Sequence, residues 1–222
     1  LNVVPDAVPD SPLEIVFRFA EMPFELDDIP YNGGLSSTWM QKETVYIDCP
    51  GTDVITLHRR YAFRYVDVRF PGNTAYSVKY VSSYCTTVSS ADIGKLKPLP
   101  TDTDSLLMRI DNVAVRTLHN CMQSVFEDGP KRDRRLWLGD LYLQAKANYV
   151  TFKNNDLVLR CMYLFAGITH PDGCLSSAVF QEPLLQKSSW ILHDYALFFI
   201  GVLYDYYKET KNIAIVEELW PT

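Results

Sequence analysis

The sequence lacks a long hydrophobic run and an extended basic stripe, and each absence excludes a class of protein. Its longest apolar run, around Tyr195 to Tyr204, is too short to span a bilayer. The N-terminal stretch "LNVVPDAVPDS" has neither the basic nor the apolar region of a signal peptide. The formal net charge is -6, and scattered Lys and Arg give no basic stripe for nucleic acid or an anionic membrane. We therefore expect a soluble, cytoplasmic protein that binds neither nucleic acid nor membrane.

Cysteine and histidine are few and scattered, which argues against a metal site. The five cysteines are an odd number without a C-x-x-C pair, and none lies at ligand spacing from a histidine. We expect their thiols to be free, buried and packed as small apolar groups. The sequence also has no nucleotide-binding loop and no Ser/His/Asp arrangement, so no cofactor is predicted. The cysteines are Cys49, Cys85, Cys121, Cys161 and Cys174, and the histidines are His58, His119, His170 and His193.

The first hundred residues contain short apolar stretches rich in Val, Tyr, Phe and Thr, which are typical of strands. They read "LEIVFRF", "TVYIDCP", "DVITLHRRYAFRYVDVRF" and "AYSVKYVSSYCTTVS", and the turn-forming segments "YNGG", "CPGTD" and "FPGN" separate them. In the third stretch Tyr61, Phe63 and Tyr65 should share one face. Residues 1–100 are therefore predicted to form an antiparallel β-sandwich. The aromatic content of 13% is a mild indication of a surface for sugars or planar ligands.

Beyond the polar, Pro-rich segment "KLKPLPTDTDS" the apolar periodicity changes to about 3.6 residues, which indicates helices. Helices are predicted from Ser105 to Phe126, Leu138 to Phe152, Leu157 to Gly167, Trp190 to Thr210 and Ile213 to Leu219. Asp102 or Asp104 should cap the first of them. The chain is thus predicted to be an α+β protein in two parts, with the β-sandwich over residues 1–100 and an α-helical domain over 101–222.

Two features of the helical part carry further expectations. The first helix has an apolar stripe that we expect to be buried, namely Leu106, Ile110, Val113, Leu118, Cys121 and Val125. Between the third and fourth helices lies "ITHPDGCLSSAVFQEPLLQKSS", a connection of about twenty residues. This length indicates either a functional loop or an error in the assignment of the elements.

The stretch "FEDGPKRDRRLWLGD", Phe126 to Asp140, combines acids, bases and a tryptophan between two apolar segments. Gly129 and Pro130 should end the first helix there. If the following residues are helical, Asp133, Trp137 and Asp140 share one face, which would place two carboxyl groups beside an indole. Arginines would lower the pKa of some of these acids, and packing on the indole would raise the pKa of another, as hydrolysis of a glycosidic bond requires. Spacing leaves open the alternative of a solvated loop with surface ion pairs.

The run "VFEDGPKRDRRLWLGD" resembles the signature of the bacterial α-L-rhamnosidases of glycoside hydrolase family 78. Upstream, "LHRRYAFRYVDVRF" resembles the last strands before that family's catalytic domain, and "LLMRIDNVAVRTLHNCMQSVFEDGP" resembles its first helix. Downstream, "SSWILHDYALFFIGVLYDYYKETKNIAIVEELWPT" resembles the family's Trp-x-x-x-Asp segment and the helix hairpin after it. The resemblance implies that residues 101–222 form the first half of an (α/α)₆ toroid that acts on rhamnoside substrates.

Carried over residue by residue, the resemblance implies that Asp133 is the general acid that protonates the leaving glycosidic oxygen. By the same resemblance Asp128, Arg132 and Asp140 hold sugar hydroxyl groups, and Trp137 packs on the rhamnose ring or its methyl group. Trp190 is a further candidate for an aromatic wall, and its alternative role is that of a core tryptophan.

The sequence departs from the family in two respects. The usual acid is Glu, and Asp133 is shorter by one methylene group. The family also inverts configuration with a general base from the second half of the toroid, and we expect this chain to be a fragment without that base, nearly inactive by itself. The alternatives are a non-catalytic carbohydrate-binding or interaction module from a truncated hydrolase, and another toroid hydrolase, such as one that acts on uronides. Helices such as "YALFFIGVLYDYY" are apolar nearly all round, which predicts self-association or a missing partner segment.

Overall fold

The structure, a computed structural model, describes residues 12–27, 40–47, 56–57, 59–71, 89 and 91–222. The chain divides into two compact units, Leu1–Thr86 and Thr87–Thr222. This division groups residues 87–100 with the helices, whereas the boundary predicted from composition, after residue 100, stays a prediction.

Strands lie in both units, and the α-helices of the described residues all lie in the second. The strands are β1 (Leu13–Ala20), β2 (Gln41–Ile47), β3 (Tyr65–Arg69), β4 (Leu136–Trp137), β5 (Ala178–Phe180) and β6 (Gln186–Lys187). The α-helices are α1 (Ser105–Cys121), α2 (Leu138–Val150), α3 (Asn155–Gly167), α4 (His193–Thr210) and α5 (Ile213–Leu219), and short 3-10 helices span Pro23–Leu26 and Ile93–Lys95. The two-part α+β organisation that the sequence predicts is confirmed.

In the first unit, β1 is the central strand of a three-stranded antiparallel sheet with the order β2-β1-β3. Its residue Phe17 pairs with Glu43 of β2 and with Val68 of β3. Alternate side chains of β1 point to one face and form a buried cluster of Leu13, Ile15, Phe17 and Phe19. The period of two in "LEIVFRF" therefore builds the core of this unit.

The third predicted strand is shorter than the sequence indicates. Among the residues of this stretch that the structure describes, Tyr65–Arg69 is paired as β3. Tyr65, predicted to share a face with Tyr61, is 42% exposed, whereas Tyr61 packs on the core. At Ala62 the backbone forms hydrogen bonds with a side chain and not with a neighbouring strand of the described residues. Gln41 Nε2 donates to Ala62 O at 2.7 Å, and Gln41 Oε1 accepts from Ala62 N at 3.3 Å. The fourth predicted strand and the turns "YNGG" and "CPGTD" lie outside the described residues.

Helix α1 begins where predicted but ends earlier. Asp104 caps it, with Oδ1 accepting from Leu106 N at 2.9 Å. The helix ends at Cys121 and not at Phe126, because the chain folds back to bury Phe126 completely, with its N–H directed at Cys161 Sγ at 3.5 Å. The prediction that "EDGPK" ends this helix is therefore wrong.

The apolar stripe predicted for α1 is buried only near the C-terminal end of the helix. Leu118 and Cys121 are buried, whereas Leu106, Ile110 and Val113 are 55% to 66% exposed. The expectation of a continuous buried stripe is wrong, because the buried cluster that α1 joins begins at Leu118.

The second unit has one buried cluster to which every helix contributes. Helix α2 packs against α4, α3 packs against both of them, and α5 packs against α4. One buried residue from each helix illustrates the arrangement: Leu118, Leu138, Val158, Val202 and Leu219. None of the helices in the described ranges is long and apolar enough to cross a membrane.

The long connection between α3 and α4, to which the sequence analysis assigned no helix or strand, contains regular structure. It contains β5 and β6, which join β4 in a second antiparallel sheet with the order β4-β5-β6. Leu136 pairs with Val179, and Trp137 pairs with Ala178. The connection therefore lies directly against the charged stretch "FEDGPKRDRRLWLGD" and supports it.

Helix α4 begins at His193, so the prediction that Trp190 opens it is wrong. The carbonyl oxygen of Trp190 accepts hydrogen bonds from Ser177 N at 3.2 Å and from Ser177 Oγ at 2.9 Å. These bonds hold the backbone of Trp190 beside the second sheet, where it cannot take part in the first turn of the helix.

Candidate active site

The charged stretch forms a closed loop between Asp128 and Arg135. Asp128 N donates to Arg135 O at 2.9 Å, and Arg135 N donates to Asp128 O at 3.3 Å. Inside the loop, Asp133 N and Arg134 N both donate to Gly129 O, at 3.1 and 3.0 Å. Gly129 has a φ of 61°, and a Cβ atom there would overlap Asp133 Oδ1. Glycine is thus favoured by the backbone conformation, and it leaves room for the side chain of Asp133.

The sequence predicted that the site residues share one face of a helix, and the structure shows a different arrangement. Asp133 lies in a turn, Trp137 lies in β4, and Asp140 lies in the first turn of α2, which begins at Leu138. The chain is extended here because Leu136 and Trp137 pair with β5. A loop, a strand and a helix terminus, and not one helix, therefore bring the predicted residues together.

Two arginines contact the carboxylate of Asp133, whose side chain is only 9% exposed. Arg132 Nε lies 3.3 Å from Asp133 Oδ1, and Arg135 Nε lies 3.6 Å from Oδ2. Arg132 also reaches Asp128, with Nη2 3.3 Å from Oδ2. The burial of Asp133 argues against the alternative of a fully solvated loop, because exposed ion pairs do not remove a carboxylate from water.

An aromatic wall lies next to this loop. The Trp137 ring is 6.4 Å from that of Trp190, and the Tyr195 ring meets it edge to face at 6.3 Å. Trp190 is 61% exposed, so the alternative that it is a core tryptophan is wrong. A wall that is apolar and open to solvent on one side suits the apolar face of a sugar ring.

The carboxyl group of Asp140 has a raised pKa. Partial burial is the main cause, the negative charge of Asp128 adds to it and Asp133 contributes less, while Arg132 opposes the shift. Burial also raises the pKa of the Tyr195 phenol, with Asp140 as the next cause. Asp140 therefore lies close enough to Asp128, Asp133 and Tyr195 to interact electrostatically with each of them.

All six residues predicted from the sequence belong to this cluster or to its aromatic wall, namely Asp128, Arg132, Asp133, Trp137, Asp140 and Trp190. Sequence reasoning missed Tyr195 and Phe180, although Tyr195 directly follows the Trp-x-x-x-Asp segment. Phe180 lies under Arg135, whose Cζ is 4.1 Å from the ring centroid. Only the pairing of β4 with β5 shows that Phe180 is close.

No group of three or more His, Cys, Asp or Glu side chains within the described ranges could hold a metal ion. Cys121 and Cys161 are free and buried, as predicted, and Cys174 is free and partly buried. Burial raises the pKa of the Cys161 thiol to about 12, which makes it an inert packing group. Cys49 and Cys85 lie outside the described residues.

The unit with the β1–β3 sheet precedes the helical unit, and the candidate site lies in the helical unit. This order is that of a class of proteins in which an N-terminal β-domain precedes a six-hairpin glycosidase domain. Residues 3–87 match the glycosyl hydrolase family 78 alpha-rhamnosidase N-terminal domain. Residues 101–222 match the bacterial alpha-L-rhamnosidase 6 hairpin glycosidase domain. The chain therefore belongs to glycoside hydrolase family 78, as its resemblance to that family predicted.

Two solved structures are similar over almost the whole chain. A rhamnosidase from Klebsiella oxytoca with rhamnose bound is 42% identical, with a TM-score of 0.82, over 99% of this chain and 43% of that one. An alpha-L-rhamnosidase from Dictyoglumus thermophilum is 18% identical, with a TM-score of 0.69 over 99% of this chain and 24% of that one, and shares the fold. The chain thus spans less than half the length of either enzyme. No curated protein matches it.

Proposed function

We propose that the protein is an α-L-rhamnosidase that hydrolyses terminal α-L-rhamnosides with inversion of configuration. The relative from Klebsiella oxytoca, which has rhamnose bound, supports this substrate class. The observation that carries the proposal is the nearly buried carboxyl group of Asp133, which two arginines hold beside an aromatic wall. In the proposed reaction Asp133 donates a proton to the glycosidic oxygen as the bond to the anomeric carbon breaks.

The remaining residues of the cluster are proposed to bind the sugar. Asp128, Arg132 and Asp140 offer acceptors and donors for ring hydroxyl groups, and the ion pair between Arg132 and Asp128 fixes the direction of both side chains. Trp137 and Trp190 are proposed to cover the apolar face of rhamnose and its methyl group. Hydroxyl binding on one side and stacking on the other would orient the glycosidic oxygen toward Asp133.

An inverting reaction also needs a general base that activates water from the opposite side of the ring, about 6.5 to 9.5 Å from the acid. In the described part of the chain, the carboxyl groups of Asp128 and Asp133 influence that of Asp140, and we assign Asp128 and Asp140 to substrate binding. We therefore propose that the 222-residue chain alone lacks the base and is nearly inactive.

The test uses the complete gene product and a panel of aryl glycosides. An aryl α-L-rhamnoside should be hydrolysed, an aryl uronide should not, and NMR of the first product formed should show the inverted anomer. Asp133→Asn should lower kcat about 100- to 10,000-fold and leave the affinity for rhamnose nearly unchanged. Asp172→Asn is the matched control, because Asp172 Oδ1 accepts a hydrogen bond from Cys174 N in a turn between α3 and β5.

Three outcomes would overturn parts of this proposal. Preferred cleavage of a uronide would replace the substrate class, and a retained anomer would exclude inversion. A complete gene product that binds rhamnose without any turnover would favour the carbohydrate-binding module.

A further inference from the structure

Arg135 has a different relation to Asp133 from that of Arg132. Arg132 divides its guanidinium group between Asp128 and Asp133 Oδ1, and its side chain is 42% exposed. Arg135 contacts the other oxygen of Asp133, Oδ2, at 3.6 Å, and its side chain is 30% exposed. The two oxygens of the proposed acid are thus contacted from two sides by separate cations.

The position of Arg135 is determined by the second sheet. Its backbone is fixed by two hydrogen bonds to Asp128, and the next residue, Leu136, pairs with Val179. Continuing that antiparallel register by one step places Arg135 opposite Phe180. The guanidinium carbon lies 4.1 Å from the centroid of the Phe180 ring, which is a cation–π distance.

We propose that Arg135, held by Phe180, is a positioning residue that fixes the rotation of the Asp133 carboxyl group toward the glycosidic oxygen. A carboxyl group on a single methylene has a short reach, so its rotation decides whether the proton meets the leaving oxygen. Arg135 acts through Asp133 and does not itself touch the substrate. The inference rests on the proposed function, since it assigns a support to the proposed acid.

The nature of the leaving group provides the test. A poor leaving group such as an alkoxide needs protonation by the acid, whereas a dinitrophenolate leaves without it. We therefore compare an alkyl with a dinitrophenyl α-L-rhamnoside on the complete gene product and its variants. In Arg135→Gln, kcat on the alkyl rhamnoside should fall about 10- to 100-fold with KM changed less than about threefold, because a misdirected acid loses part of its contribution.

The same Arg135→Gln variant should retain kcat on the dinitrophenyl rhamnoside within about threefold, since that reaction has little need of an acid. Phe180→Leu should shift the ratio of the two kcat values in the same direction by a smaller factor. Arg135→Lys should restore part of the loss, because an ammonium group keeps the charge but not the planar stacking. Arg160→Gln is the matched control, since the Arg160 guanidinium binds the Ser124 carbonyl oxygen.

Both rates are measured on one sample, so a misfolded fraction cancels from their ratio. An unchanged ratio in Arg135→Gln, whether both rates fall or neither does, would overturn the positioning role while the rhamnosidase assignment stands. A shift of the ratio in Arg160→Gln of the same size would also overturn it. A parent protein that hydrolyses neither rhamnoside would overturn the proposed function, and with it this inference.

Discussion

The surroundings of the Asp140 carboxyl group in the candidate site disfavour its ionised form. Its pKa is raised, mainly because it is partly buried and then because Asp128 is close. A carboxyl group whose pKa is higher in the folded than in the unfolded state contributes stability below its unfolded pKa and loses that contribution as the pH rises through the folded pKa. At neutral pH the ionised Asp140 therefore lowers the free energy of unfolding.

Asp140→Asn should consequently raise the melting temperature of the helical unit at pH 7, and the difference from the parent should shrink as the pH falls to about 3. Thermal unfolding followed by circular dichroism across this range measures both effects. Asp172→Asn provides a control of opposite sign. A hydrogen bond from Cys174 N lowers the pKa of Asp172, so this variant should be less stable than the parent at pH 7, with the difference again lost at low pH. A difference for Asp140→Asn that does not depend on pH would contradict the assignment.

The site illustrates which residue roles a sequence can reveal. Asp133, Trp137 and Asp140 are close together in the chain, and the family resemblance picked them out although the helical geometry expected for them is wrong. Phe180 comes from a distant stretch that looks like a loop, and only the register Leu136 to Val179 places it under an arginine. Contacts made through strand pairing between distant segments leave no local signal in one sequence.

At the scale of elements, helices α2 and α4 make a close contact at Gly201. A Cβ atom on Gly201 would lie 2.7 Å from Cε2 of Tyr142. The Tyr142 ring cannot easily move away, because it stacks on Phe198 at 5.0 Å and lies under Lys146 at 4.5 Å. Lys146 is in turn held by Asp205, with Nζ 2.6 Å from Oδ2.

Gly201→Ala should therefore lower the free energy of unfolding by about 1 to 3 kcal/mol, the usual range for overpacking a well-packed contact. Chemical denaturation of the parent and the variant measures this difference. Gly167→Ala in α3 is the matched control, because nothing lies within 4 Å of its added methyl group. That control should be neutral or more stable by up to about 1 kcal/mol, through the reduced entropy of the unfolded chain. Equal stability of the two variants would mean that α2 and α4 can separate without cost.

The helices were more predictable than their ends. A period of about 3.6 residues located all five, because each buries one face against the same core. The end of α1 at Cys121 and the start of α4 at His193 were missed, since burial of Phe126 and the hydrogen bonds of Trp190 determine them. Such tertiary contacts override local helix propensity, and the spacing of apolar residues in the sequence does not reveal them.

At the scale of the whole molecule, helix α4 presents apolar side chains to solvent. Leu197, Ile200 and Tyr204 are 56% to 67% exposed, which agrees with a helix that is apolar nearly all round. Exposed apolar residues at this density are typical of surfaces that pack against further protein. Self-association of this chain, or coverage by a further segment, stays a prediction.

The rate at which the 222-residue chain hydrolyses a rhamnoside by itself tests whether its site is incomplete. By itself it should hydrolyse an aryl α-L-rhamnoside at least about 100-fold more slowly than the rhamnosidase from Klebsiella oxytoca, because a positioned base typically contributes about 100- to 10,000-fold. Steady-state kinetics of both proteins under the same conditions measure the ratio, with Asp133→Asn of this chain as the blank. The intact mass of the complete gene product shows whether that product is longer than the 222-residue chain. Turnover by the isolated chain at about 1 per second or faster, a rate typical of enzymes, would contradict the prediction. Asp128 and Asp140 would then become candidates for the base, because the negative charges of Asp128, Asp133 and Asp140 lie close together.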